Sequence, residues 1–109
     1  MKKIILLIVV VLSFSGFMKA QSSDTLKIQT SAQCEMCKER IETALAYEKG
    51  VVSSDLEMNT KILTVVYKPA KTNADKIKAA ISWLGYDADD VKAGLKAYNK
   101  LPACCKKKE

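Results

Sequence analysis

The chain has 109 residues, enough for one domain and not for two, and carries 18 Lys and Arg against 12 Asp and Glu, a net charge of +6. It contains no histidine, which excludes a Ser-His-Asp triad, an imidazole metal site and a histidine acid–base catalyst. Its four glycines stand singly, so there is no phosphate-cradling loop, and an apolar fraction of 49% excludes disorder throughout.

Residues 1–20 read as an export signal. Met1-Lys2-Lys3 is followed by an uncharged apolar run at residues 4–12, and then by Ser13-Phe14-Ser15-Gly16-Phe17-Met18-Lys19-Ala20. A basic head, a short apolar centre and a small residue before the cut define a secretory signal peptide. The run is shorter than the roughly 20 residues a spanning helix needs. Cleavage is expected after Ala20, with an uncleaved anchor as the alternative. The protein is then expected in a periplasm or secreted, meeting the membrane only transiently through this signal.

Removing that segment changes the charge balance. It holds Lys2, Lys3 and Lys19, so the remainder is +3. Residues 21–91 hold nine bases and eleven acids, a net −2, while residues 92–109 hold six bases and one acid, a net +5. The basicity belongs to a tail and makes no stripe on a domain, so nucleic acid is not expected as a partner.

Residues 25–30, Thr-Leu-Lys-Ile-Gln-Thr, alternate apolar and polar and predict a half-buried strand. From Glu35 to Glu48 the apolar spacing becomes helical, with Cys37, Ile41, Ala44 and Leu45 on one side, and Gly50 is expected to close that helix. Strand character returns at residues 51–58, with Ser54, Leu56 and Met58 on one face. Asn59-Thr60 is the expected turn, and Leu63, Val65 and Tyr67 share one face of a third strand. Thr72 is the expected cap of a second helix carrying Ile77, Ala80, Ile81 and Leu84, stopped by Gly85. Trp83, beside that stripe, is expected to pack at the core boundary. Residues 86–91 supply a short fourth strand. The order is the ferredoxin-like βαββαβ of an α+β domain: a four-stranded antiparallel sheet with two helices on one face, over residues 21–91. Residues 92–109 form a basic tail with a short helix around Leu95, Tyr98 and Leu101. The tail, ending in the solvated Lys106-Lys107-Lys108 run, is expected to be mobile.

The chemistry sits at sulfur. Cys34-Glu35-Met36-Cys37 places two thiols where the first strand gives way to the first helix. Unpaired amides and the positive end of the helix dipole favour thiolate there. Two thiolates without imidazole suit Cu(I), Hg(II) or another thiophilic ion, whereas a structural Zn(II) site normally takes four ligands. Cys104 and Cys105 are the residues that would complete such a set. Their adjacent Cα atoms, about 3.8 Å apart, fall short of the usual disulfide range of about 4.4–6.8 Å. The pair therefore reads as a second soft-metal site, a partner for Cys34 and Cys37, an intermolecular cross-link, or plain surface thiols. Met36 is either a half-buried apolar residue or a third soft ligand.

Residues 25–91 resemble the heavy-metal-associated (HMA) domain family. The resemblance rests on Cys34-x-x-Cys37 after the first strand, Ile41…Ala44-Leu45 on the helix and Gly50-Val51 opening the second strand. Val65-x-Tyr67 and Ala80-Ile81…Gly85-Tyr86 complete it. The family includes copper chaperones, modules of metal-pumping ATPases and periplasmic mercury-binding proteins. The resemblance implies that Cys34 and Cys37 hold a soft ion in a shallow loop and pass it on by thiolate exchange. It also implies that Tyr86 lies close to the metal. Implied partners are a metal-transporting membrane protein or another thiol-rich carrier, with a monomer expected and a metal-bridged dimer as the alternative. Ser31-Ala32 stands where relatives commonly carry Gly-Met, so a looser or differently packed loop is expected.

Two other functions compete. A thiol–disulfide oxidoreductase is favoured by export and by CxxC at a helix start. Against it, no Trp precedes Cys34, no Gly-Pro lies between the cysteines, and neither Pro69 nor Pro102 stands as an active-site proline. A purely structural Cys34–Cys37 disulfide would close too small a loop to add much stability. No nucleophile–base pair is visible, so catalysis is not expected.

Overall fold

A computed structural model describes residues 22–107, so the export signal expected at residues 1–20 lies outside the described residues. Strands β1 (Asp24–Gln29), β2 (Val51–Glu57) and β3 (Ile62–Tyr67) form one antiparallel sheet in the order β1-β3-β2. Helices α1 (Glu35–Ala46) and α2 (Ala74–Leu84) cover one face of it. A short helix α3 (Leu95–Asn99) and a 3-10 turn (Ala103–Cys105) follow. The α+β class and the order strand, helix, two strands, helix are as the residue pattern predicts.

The core follows from the two periodicities. Across β1 and β3, Leu26 faces Val65 and Ile28 faces Leu63, and β2 adds Leu56 opposite Leu63. From the other layer α1 buries Cys37, Ile41 and Leu45, and α2 buries Ile77 and Ile81, each at four-residue spacing. Fully burying one such aliphatic side chain contributes about 1.5–3 kcal/mol. β2 is an outer strand, and α1 covers part of its free backbone. The Glu42 carboxylate accepts from the Leu56 N–H at 2.7 Å, and the Lys38 ammonium donates to the Leu56 carbonyl at 3.0 Å.

The expected fourth strand is reduced to isolated bridges among the described residues. Ala88 pairs with Thr30 on the free edge of β1, and also with Val91. The second pairing explains why the ladder stops. The Ala88 and Val91 amides each donate to the other's carbonyl, at 2.9 and 3.0 Å, and Asp89 takes a φ of +53°. The chain thus reverses at Asp89-Asp90 instead of running along β1.

Four smaller expectations are corrected. Asn73 caps α2, accepting from the Lys76 amide at 2.9 Å, whereas Thr72 is buried over Gly50. A Cβ on Gly50, at φ +86°, would come within 2.8 Å of the Thr72 methyl. α1 ends at Tyr47 in a right-handed conformation, so Gly50 opens β2 and does not close the helix. Trp83 is 82% exposed, because two positions beyond Ile81 on a helix is the opposite side from the core.

The fourth correction concerns the tail, which is packed against the domain. Leu101 and Cys105 are 5% and 1% exposed within the core cluster. Gly94 donates to the Ser82 carbonyl at 2.9 Å, and the Ser82 hydroxyl donates to the Lys92 carbonyl at 2.7 Å. Gly85 permits the approach. At φ +105° it caps α2, and a Cβ there would stand 3.0 Å from the Ala97 backbone.

Candidate metal centre

Cys34 ends the β1–α1 loop as the N-cap of α1, in an extended conformation. Its carbonyl accepts the Cys37 amide at 2.9 Å and the Lys38 amide at 3.2 Å. The first helical turn then carries Cys37 inward, where it is fully buried. The two motif sulfurs lie 3.4 Å apart.

The tail brings two more sulfurs to the same point. Cys34 Sγ lies 3.1 Å from Cys104 Sγ and 3.7 Å from Cys105 Sγ, and the two tail sulfurs are 4.0 Å apart. Cys34, Cys104 and Cys105 all place their sulfurs within 4.8 Å of one another. All four cysteines are free thiols. Cys104 is exposed, Cys34 half-buried, and Cys37 and Cys105 buried. Met36 points outward and is 47% exposed, outside the buried cluster.

The thiols differ in acidity. Cys34 is held down to about 7, first by its sulfur–sulfur contact with Cys104 and then by the Cys37 amide, against an upward push from burial. Cys104 is raised, chiefly by that same contact with Cys34. Cys105 is pushed up to about 12, first by burial and then by the Cys37 sulfur. Cys34 is therefore the thiol that ionises first of these three.

Tyr86 is fully buried beside Cys37 and Cys105, and its hydroxyl makes no hydrogen bond of ordinary geometry. Burial first, then the neighbouring sulfurs, push its phenol above the usual tyrosine range, so it stays protonated. An unsatisfied buried hydroxyl costs about 1–3 kcal/mol. Thiolates formed at the neighbouring sulfurs would give it an acceptor. A sulfur donor set, three of its members within 4.8 Å of one another, with one spare O–H and no imidazole, fits a thiophilic ion.

The loop ahead of Cys34 is well held, so of the two expectations, looser or differently packed, looseness is set aside. Ala32 is fully buried and its amide meets the Thr30 hydroxyl at 3.3 Å. The Ser31 hydroxyl accepts the Asp87 amide at 2.8 Å, tying the loop to the segment after Tyr86. Asp87 in turn pairs with Lys107 and accepts the Ala93 amide at 2.8 Å, while the Tyr98 hydroxyl accepts the Lys107 amide at 3.0 Å. Burial works to raise the Asp87 carboxyl, but Lys107 and the Ala93 amide together hold it below its ordinary value. Asp87 and Lys107 are supporting residues to which the sequence does not point, whereas Ser31-Ala32 is singled out there. An Asp and a Lys twenty positions apart leave no pattern to find.

Fold and site together define a small α+β module that presents a cysteine pair at the start of its first helix. The chain belongs to the Heavy-metal-associated domain family, which matches residues 31–87. It is 39% identical over 59 residues to a copper-exporting P-type ATPase of Staphylococcus aureus (strain JH9). That match covers 54% of this chain and 7% of the ATPase, so the chain spans a small fraction of the length of that relative. Among solved structures it superposes on the CopZ metallochaperone with a TM-score of 0.57 at 29% identity, covering 60% of this chain and 98% of CopZ. Oxidized MerP from Ralstonia metallidurans CH34 shares the fold, with a TM-score of 0.60 at 23% identity over 62% of this chain and 96% of that one.

Proposed function

We propose that this protein is an exported, non-catalytic carrier of a soft metal ion. Cys34 and Cys37 hold the ion, which passes by ligand exchange to a metal-transporting membrane protein or another thiol-rich carrier. The observation that carries the reading is the pair of sulfurs 3.4 Å apart at the start of α1, in a chain of the Heavy-metal-associated domain family. Cu(I) is the first candidate, since the S. aureus relative is a copper exporter. Hg(II) is the second, and Zn(II) follows because it prefers four ligands.

The two motif thiols divide the work. Buried Cys37 is the sheltered ligand, packed into the first turn of α1. Cys34 lies nearer the surface and is the more open to an incoming thiolate. Exchange proceeds by adding the partner's sulfur before one of the chain's own sulfurs leaves, so the ion is never bare. Each thiol that enters coordination gives its proton to water.

The test is an anaerobic titration of reduced, metal-free protein with Cu(I) and Hg(II). One tightly bound equivalent is expected, abolished in Cys34→Ser/Cys37→Ser. Absence of soft-metal binding together with insulin-reducing activity would overturn the carrier in favour of an oxidoreductase. Export is tested by the N-terminal sequence of the protein recovered outside the cytosol, expected to begin at Gln21.

A further inference from the structure

We infer that the C-terminal tail belongs to the metal site, with Cys104 and Cys105 joining Cys34 as thiolate ligands to one ion. The protein then carries its own closing ligands. The inference rests on the soft-metal reading above and extends it from two sulfurs to a shared set centred on Cys34.

Geometry is the first argument. Three sulfurs each about 2.3 Å from one ion stand about 4.0 Å apart in a trigonal plane. Cys104 and Cys105 are already 4.0 Å apart and Cys34 and Cys105 are 3.7 Å apart. The Cys34–Cys104 separation of 3.1 Å must open by less than an ångström, and exposed Cys104 is free to turn. The second argument is that the tail is held in place before any ion arrives. Leu101 sits in the core, Lys107 pairs with Asp87, and Gly94 is bonded to Ser82. Capture by a pre-placed third sulfur is intramolecular, so its effective concentration is high and its ordering cost is already met.

Cys34 is common to two ligand sets, Cys34/Cys37 and Cys34/Cys104/Cys105. An ion can move between them without leaving Cys34. In the tail-bound arrangement a partner must displace Cys104 and Cys105, so the tail sets how readily the cargo leaves. Coordination releases one proton from each thiol that becomes a ligand, and no electron changes hands.

The experiment loads reduced protein with one equivalent of Cu(I) under argon. X-ray absorption counts the sulfurs, a chromophoric Cu(I) chelator competes for the ion, and the mass of the complex is measured. Three sulfurs on a monomer are expected for the unmodified chain. Cys104→Ser, at an exposed position, is expected to leave two sulfurs and to bind ten-fold or more weakly. Cys105→Ala should do the same with its fold verified by circular dichroism. Unchanged affinity and sulfur count in both variants would overturn the tail's role while leaving the Cys34/Cys37 carrier intact. Three sulfurs found only in a dimer would also overturn it, by assigning the third to another copy. Neither Cu(I) nor Hg(II) bound by the unmodified chain would instead remove the carrier reading itself.

Discussion

Cys34 touches all three other sulfurs, and those contacts hold its thiol down to about 7. Iodoacetamide labelling of the metal-free protein should rise at Cys34 through a midpoint near that value, read by peptide mass spectrometry. Cys105, pushed up to about 12, should stay unlabelled at neutral pH. Cys104→Ala removes the largest of the lowering contacts, so the Cys34 midpoint should move up toward an ordinary thiol value of about 8.5. An unmoved midpoint would contradict the contact. Tyr86→Phe tests the idle hydroxyl. It deletes an unpaired polar atom from the core, so the metal-free fold should keep or gain stability, by up to about 1 kcal/mol. Metal affinity should fall several-fold if that O–H serves the thiolates, and an unchanged affinity would make Tyr86 packing alone. The motif cysteines were legible from spacing, and Tyr86 from family resemblance. Ala32 leaves slack and altered packing both open from sequence, because a small residue stands in place of a large one, and only the fold shows it fully buried.

At the scale of elements, period-two and four-residue spacing identified three strands and two helices, because each buries one face and the pattern records which. The fourth strand was over-read. Residues 86–91 alternate well enough, but Asp89 and Asp90 turn the chain back on itself, and local hydrogen bonds outcompete a ladder. The tail is only partly legible: its short helix and a pairing of Cys104 and Cys105 with Cys34 and Cys37 are among the expected readings, but its docking is not. Its anchors, Leu101 and Cys105, are separated by residues with no regular period, and a lysine-rich composition reads as solvent-facing. Gly85 is the joint between body and tail. Gly85→Ala should cost more than about 1 kcal/mol, since φ is positive and Cβ would meet the Ala97 backbone. It should also loosen α3, seen as faster amide exchange at residues 95–105 and new labelling of Cys105. Preserved protection there would refute the steric account.

For the whole molecule, the sign of the Asp87 shift fixes how acid acts. Its carboxyl titrates below the ordinary 3.8 in the folded chain, so its contribution is complete above about pH 4 and is lost as pH falls through the lower folded value. Urea midpoints at pH 7 and pH 3 should therefore differ less in Lys107→Ala than in the unmodified protein. Equal differences would mean the Asp87–Lys107 pair does not secure the tail. The single tryptophan reports on the solvent-facing side of α2. With Trp83 82% exposed, emission of the native protein should already lie near that of solvated indole, and unfolding should shift it little.

The sulfur cluster has a consequence for the order of events during folding. Cys34 and Cys37 are neighbours along the chain, but Cys104 is 70 residues from Cys34. A ribosome finishes the motif long before the tail exists, and closing so long a loop is entropically slower than forming a helical turn. Every newly made chain therefore passes through an interval in which the motif thiols stand without their cover. In refolding followed by pulsed thiol labelling, protection of Cys105 should appear last, together with burial of Leu101.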